Sequence, residues 1–263
     1  MNTIARCTKT DLAIITLCTM FLLLCLGAVS QTGRERAKGI VCQNNLRQLG
    51  LAQNTYLRDY DDRFPMAWNC LVKTEYPVAG YQRYCRWHDP RYPLDGPLWP
   101  YLAKEKIVLC PTFNDLAGPY APMHPSHVAS NPIDPQYSYS MNAFLGIGNR
   151  GAQYGGGALK LSDITRAKSE VFFFAEENMW ARPGCFNVLN DNALCADGVD
   201  WFGTFHNTPD GDLNGGTINA VFVDGHVQAV RSALREDPND NSEKEFGRFE
   251  KYGWPSATPP YGI

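Results

Sequence analysis

Leu12 to Val29 reads LAIITLCTMFLLLCLGAV, eighteen residues without a charge. At about 1.5 Å rise per residue, a helix of that length nearly spans a hydrocarbon layer of about 30 Å. Arg6 and Lys9 precede the run, and Arg34, Arg36 and Lys38 follow it. Positive charge on both flanks leaves the orientation open. One reading is a retained single-pass anchor. The other is a signal peptide cut after Ser30, with Ala28 and Ser30 as the small residues a peptidase needs. The length of the apolar stretch favours the anchor, and either reading exports the rest of the chain.

The run leads into a second helical pattern. Cys42, Leu46, Leu49, Ala52 and Tyr56 recur at spacings of four, three, three and four, which places them on one stripe. No proline interrupts Leu12 to Phe64, so the membrane and amphipathic segments read as one long rod that ends at Asp59-Tyr-Asp-Asp-Arg-Phe-Pro65. Beyond it the chain is irregular and rich in Pro, Tyr and Trp as far as Asn131. Tyr137 to Asn142 reads as a short strand. Glu170 to Glu176 (EVFFFAE) reads as a buried strand, and Thr217 to Arg231 as a hairpin with a type I′ turn at Asp224-Gly225. Four segments follow: 1–30 transmembrane, 31–65 amphipathic helix, 66–235 exported β-rich head, and 236–263 polar, Pro-rich tail. The class is α+β, with a long N-terminal helix packed on a small antiparallel sheet with long loop insertions.

Three of the nine cysteines, Cys7, Cys18 and Cys25, lie in or beside the apolar segment. The other six, Cys42, Cys70, Cys85, Cys110, Cys185 and Cys195, suit three disulfides in an oxidising compartment. Cys70 with Cys85 and Cys185 with Cys195 close short loops and leave Cys42 with Cys110, one choice among fifteen pairings. A net charge of −3 gives no footprint for nucleic acid.

In chain order, the apolar segment is followed by Cys42-Gln-Asn-Asn-Leu-Arg-Gln-Leu-Gly-Leu-Ala52, then Tyr56, Asp59 and Phe64-Pro65, then Leu109-Cys110-Pro111, Tyr137-Ser138-Tyr139 and Asn142. Glu170 to Glu176, His206, and Asn219 to Val227 with Asp224, Gly225 and His226 complete the series. Together they resemble the bacterial pseudopilin-like proteins with a prepilin-type N-terminus and a C-terminal H-X9-DG domain. The resemblance implies a pilin-like fold and a head in the periplasm or outside the cell, tethered to the inner membrane. It also implies a structural place in a type II secretion or pilus-like apparatus, with other pilin-like subunits as partners and no catalysis. Two departures stand out. No Gly-Phe precedes the apolar run, where Asp11 occupies the place of the family's glutamate, and seventeen residues separate His206 from Asp224 where the family has nine.

Asp210-Gly-Asp212-Leu-Asn214-Gly215 opens like a calcium loop, though Val221 stands where the bidentate glutamate belongs. The plainer alternative is a polar turn. His206, Asp224 and His226 invite a metal or hydrolase reading, but Asp224-Gly225 is accounted for by the hairpin. Trp87-His88-Asp89 and neighbouring aromatics offer a glycan- or protein-binding surface as an alternative function, against ordinary core filling.

Overall fold

The computed structural model describes residues 8–27, 31–73, 86–102, 105–124, 127, 129–147, 157–180, 189, 191–194, 200, 202–208, 211–231 and 252–256. The chain divides into two compact units, Met1–Ala37 and Lys38–Ile263.

In the first unit, α1 runs from Lys9 to Gly27. Its start is set by a reciprocal cap: the Thr8 N–H donates to Asp11 Oδ2 at 2.9 Å, and the Asp11 N–H donates to Thr8 Oγ1 at 3.2 Å. Asp11, which the resemblance sets in the place of a glutamate, is engaged in this cap, and Thr8 holds its carboxyl below the usual range. Thr16 and Thr19 bond back to the carbonyls of Leu12 and Ile15.

The helix does not extend as the sequence suggested. Its apolar part, Leu12 to Gly27, is about 24 Å long at 1.5 Å per residue, short of a hydrocarbon core of about 30 Å. The next helix, α2, is a separate element from Gln31 to Asp59 and is polar on average. Among the described residues, no helix is long and apolar enough to cross a membrane. This overturns the continuous transmembrane-then-amphipathic rod, the prepilin-type single-pass helix and the inner-membrane anchor.

α2 begins in the first unit, and most of it lies in the second. Its predicted stripe is buried: Cys42, Leu46 and Leu49 are wholly enclosed, and Ala52 and Tyr56 nearly so. Asp61 and Asp62, at φ 51° and 59°, turn the chain out of the helix, and the Asp62 N–H reaches back to Leu57 O at 2.8 Å.

The sheet has five strands: β1 Tyr139–Asn142, β2 Phe172–Glu176, β3 Ala193–Leu194, β4 Thr217–Phe222 and β5 Val227–Arg231. Their order is β3-β1-β2-β4-β5. It is mixed, not antiparallel throughout, because β3 runs parallel to β1 (Met141 opposite Ala193) while the other pairs are antiparallel. Both faces are covered. Tyr139, Met141, Phe174 and Val221 join Cys42, Leu46 and Leu49 in the main core. Phe172, Ala175, Ile218, Ala220 and Phe222 form a second core with Phe144 and Trp254. This double burial explains the unbroken apolar reading of β2. A register shift between Phe172 and Phe174 sends Phe173 and Phe174 to the same core and resets the alternation. Glu176, two residues past Phe174, then falls on the α2 side.

The β4–β5 turn differs from the type I′ expectation. Gly225 alone of the pair has positive φ (92°), and its N–H donates to Phe222 O at 2.8 Å. The turn is therefore centred on Val223-Asp224, with Gly225 in the left-handed position of a longer hairpin loop. Within the segment read as a polar tail, residues 252–256 pack on the second face: Trp254 is buried 4.0 Å from Phe144, and Asn142 Nδ2 donates to Gly253 O at 2.8 Å.

α3 (Pro111–Tyr120) opens on Pro111 at the first turn, where a missing N–H costs nothing, and carries a second proline, Pro119, near its end.

Replacing Leu49 by Ala is expected to lower unfolding free energy by about 2–5 kcal/mol, since its side chain is fully enclosed in the helix–sheet core. Leu51→Ala, at a position 66% exposed, should change it by less than about 0.5 kcal/mol. Urea denaturation of the two variants checks both.

Candidate functional site

Cys42, Cys110, Glu176 and His206 come from four stretches of chain, and their ligand atoms all lie within 4.8 Å of one another. Each is placed by its local fold. Cys42 opens the apolar stripe of α2. Cys110 caps the N-terminus of α3, and its N–H donates to Ser138 Oγ at 2.8 Å. The neighbouring Leu109 carbonyl accepts from Asn45 Nδ2 of α2 at 3.1 Å, which ties this corner to the helix. Glu176 ends β2. His206 pairs with Thr217 across two backbone bonds of 3.1 and 2.6 Å, so it extends the edge of β4. Gly216 permits that pairing: a Cβ there would stand 2.2 Å from His206 O and 2.5 Å from Thr204 O.

The four side chains bond to one another. Glu176 Oε1 accepts from the Cys42 thiol at 2.8 Å and meets His206 Nε2 at 2.7 Å. His206 Nε2 also lies 3.4 Å from Cys110 Sγ. A further ring of donors surrounds them. Tyr139 Oη donates to Cys42 Sγ at 3.2 Å, and Asn219 Nδ2 does so at 3.4 Å. The Asn219 N–H donates to Glu176 Oε2 at 2.9 Å, while Gln43 Nε2 orients the Asn219 amide oxygen at 3.1 Å.

Burial is nearly complete: Cys42, Cys110 and Glu176 are 0% exposed, and His206 is 3% exposed. Burial disfavours the imidazolium, but the Glu176 carboxylate and the Cys110 thiol outweigh it and hold His206 up at about 11. Burial, Cys110 and the Glu176 charge push the Cys42 thiol well up. Burial also opposes ionisation of Cys110, yet the bond from Cys42 and the adjacent His206 bring it down. The group thus sets a histidine–carboxylate contact of 2.7 Å beside two thiols, with almost no exposure to water. Two sulfurs, an imidazole and a carboxylate form a donor set suited to a thiophilic or borderline metal ion.

The sequence-predicted positions distribute unevenly. His206 and Asn219 enter the cluster. Asp224 and His226 do not: they form an exposed pair at 2.6 Å in the β4–β5 turn, and His226 stacks on Phe222. His206 and Asp224 lie at opposite ends of β4, so Glu176, not Asp224, is the partner of His206. Of the calcium-loop residues, Asp210 lies outside the described residues. Asp212 Oδ1 accepts the Asn214 N–H at 3.0 Å, and Asn214 Oδ1 accepts from Trp180 Nε1 at 3.0 Å. That is the bonding of a polar turn.

Cys42, Cys70 and Cys110 carry free thiols. The structure brings Cys42 to Cys110, as one of the pairings anticipated, but without a disulfide between them. Cys85, Cys185 and Cys195 lie outside the described residues. Trp87, His88 and Asp89 are wholly buried, so they fill the core and offer no stacking surface. Glu176 and Tyr139 were not singled out as site residues. The available signal was a carboxylate closing an otherwise apolar strand, which requires a buried partner.

No family model matches the chain, and no curated protein and no solved structure matches it either.

His124, 4% exposed with Nε2 at 2.8 Å from Leu189 O, is held down to about 4 by burial. The unfolded chain, with an ordinary histidine near 6.5, then binds more protons between those values. Stability should fall as pH drops from about 6.5 to 4, by up to about 1.4 kcal/mol per pH unit from this residue. Urea midpoints across that range check it, and His124→Gln should flatten the slope.

Proposed function

We propose that the chain is a structural subunit without catalytic activity, a part of a pseudopilin-like assembly of the type II secretion or pilus kind. One observation carries this reading. The apolar side chains of α1, Leu12, Ile14, Ile15, Leu17, Met20, Phe21, Leu22 and Leu23, are 54% to 71% exposed. Met20 to Leu23 are consecutive, so they point around the full circumference of the helix. A surface this apolar stays in water only at a cost of roughly 25 cal/mol per Å². A single partner would cover one side of such a helix, whereas a bundle covers all of it. The occupants are the α1 helices of other copies, packed as in a helical core.

The order of motifs from Cys42 to Val227 supports the same reading. So does the burial of the Cys42, Cys110, Glu176 and His206 cluster, at 3% exposure or less. Cross-linking and light scattering on the full chain should show oligomers. Leu17→Asp combined with Phe21→Asp should dissociate them, with the head still folded. A wild-type chain that stays monomeric at micromolar concentration overturns the reading.

A second reading, a glycan-binding module, is favoured by one feature of the head. A groove of about 980 Å³ is lined by Tyr92, Leu94, Trp99, Gln48, Asn114 and Gln136. Aromatic faces beside side-chain amides suit sugar rings. Tryptophan fluorescence titrated with neutral oligosaccharides should respond in the wild type and lose the response in Trp99→Ala. An unresponsive wild type removes this reading.

A further inference from the structure

We infer that Cys42, Cys110, His206 and Glu176 form a closed structural site for one thiophilic divalent cation, with zinc as the ion that fits best. The inference concerns the folded head and does not depend on how copies of the chain assemble.

The donor set is the first argument. Two thiolates and an imidazole are ligands of zinc, and a carboxylate oxygen serves as a fourth. Calcium takes six to eight oxygen ligands and is excluded by the two sulfurs.

Convergence is the second. The four ligand atoms lie within 4.8 Å of one another although they arrive from α2, the cap of α3, the end of β2 and the edge of β4. Zinc–sulfur bonds of about 2.3 Å and zinc–nitrogen or –oxygen bonds of about 2.0–2.2 Å would place tetrahedral ligands roughly 3.4–3.8 Å apart. The observed separations of 2.7, 2.8 and 3.4 Å are those of the same atoms bonded directly to one another. Admitting the ion opens these three contacts by roughly 1 Å or less, and the remaining pairs already lie within 4.8 Å.

The third argument is the surrounding ring. Three anionic ligands against a double positive charge leave one negative charge in a dry pocket. The Asn219 N–H, Asn219 Nδ2 and Tyr139 Oη all donate toward it, at 2.9, 3.4 and 3.2 Å. Metal sites are supported by donors of this kind. With all four positions supplied by protein and exposure of 3% or less, no position remains for water or substrate, so the role is structural. The thiols of Cys42 and Cys110 bind such an ion as thiolates, so binding releases protons to solvent.

The test uses the full chain, purified without chelator. Elemental analysis should find about one zinc per chain, and the metal-free protein should take up one cobalt(II) with a sulfur-to-cobalt charge-transfer band. Excess calcium should not displace it. Cys110→Ser should weaken that band, and Asn219→Ala should weaken zinc binding roughly 10- to 100-fold while leaving the band in place. Cys70→Ser alters a buried cysteine outside the cluster and controls for a general effect of losing a core thiol; it should bind as wild type. Three results would overturn the inference: no stoichiometric metal together with a cobalt spectrum lacking the sulfur band, equal binding by Cys110→Ser and wild type, or a native mass two hydrogens lighter that shows a Cys42–Cys110 disulfide in place of the metal.

Discussion

The head is organised around a carboxylate that water cannot reach. Glu176 lies at the end of β2 beneath α2, fully enclosed, with one oxygen on Cys42 and His206 and the other on the Asn219 N–H. A buried carboxylate without partners would cost several kcal/mol. Here its partners come from α2, from the edge of β4 and from β4 itself. Satisfying one charge therefore specifies how helix and sheet align. A shift of α2 by one residue would take Cys42 off the carboxylate and cost Glu176 the one partner that α2 supplies.

The sheet serves the same arrangement. Because Asn219 and Val221 face α2 while Ile218, Ala220 and Phe222 face the second core, β4 contributes an amide to the polar cluster and apolar side chains to both layers. The bulge in β2 does corresponding work, since it restores the alternation that turns Glu176 toward the helix after three successive phenylalanines. Trp254 and its neighbours close the second face. A segment far along the chain thus completes a layer that the strands alone leave open.

Much of the head was legible residue by residue. The stripe from Cys42 to Tyr56 is a helical face because its spacing follows 3.6 residues per turn, and it is buried as that spacing implies. Phe172 to Ala175 form the buried strand that β-branched and aromatic neighbours indicate. The failures have specific causes. Hydropathy counts residues but not helix ends, so the apolar run was read as one rod although α1 stops at Gly27 and α2 is a separate polar-rich helix. The two-residue strand β3 is too short to carry a pattern, and its parallel pairing with β1 has no local signature. The β4–β5 hairpin is present, but its turn is centred on Val223-Asp224 and is not type I′, because a dipeptide such as Asp-Gly fits more than one loop length.

By itself the sequence determined the elements whose causes are local: the amphipathic face of α2, the apolar strand and the glycine-bearing hairpin. It also determined that two cysteines, a histidine and a glutamate were present to be used. Only the tertiary structure decided that these four belong together, because their separations along the chain, 68, 134 and 164 residues from Cys42 to Cys110, Glu176 and His206, carry no periodicity. Hydrogen bonding and burial act on distance in space. A thiol read as half of a disulfide and a histidine read as the partner of Asp224 therefore found their neighbours only once helix, sheet and edge had packed.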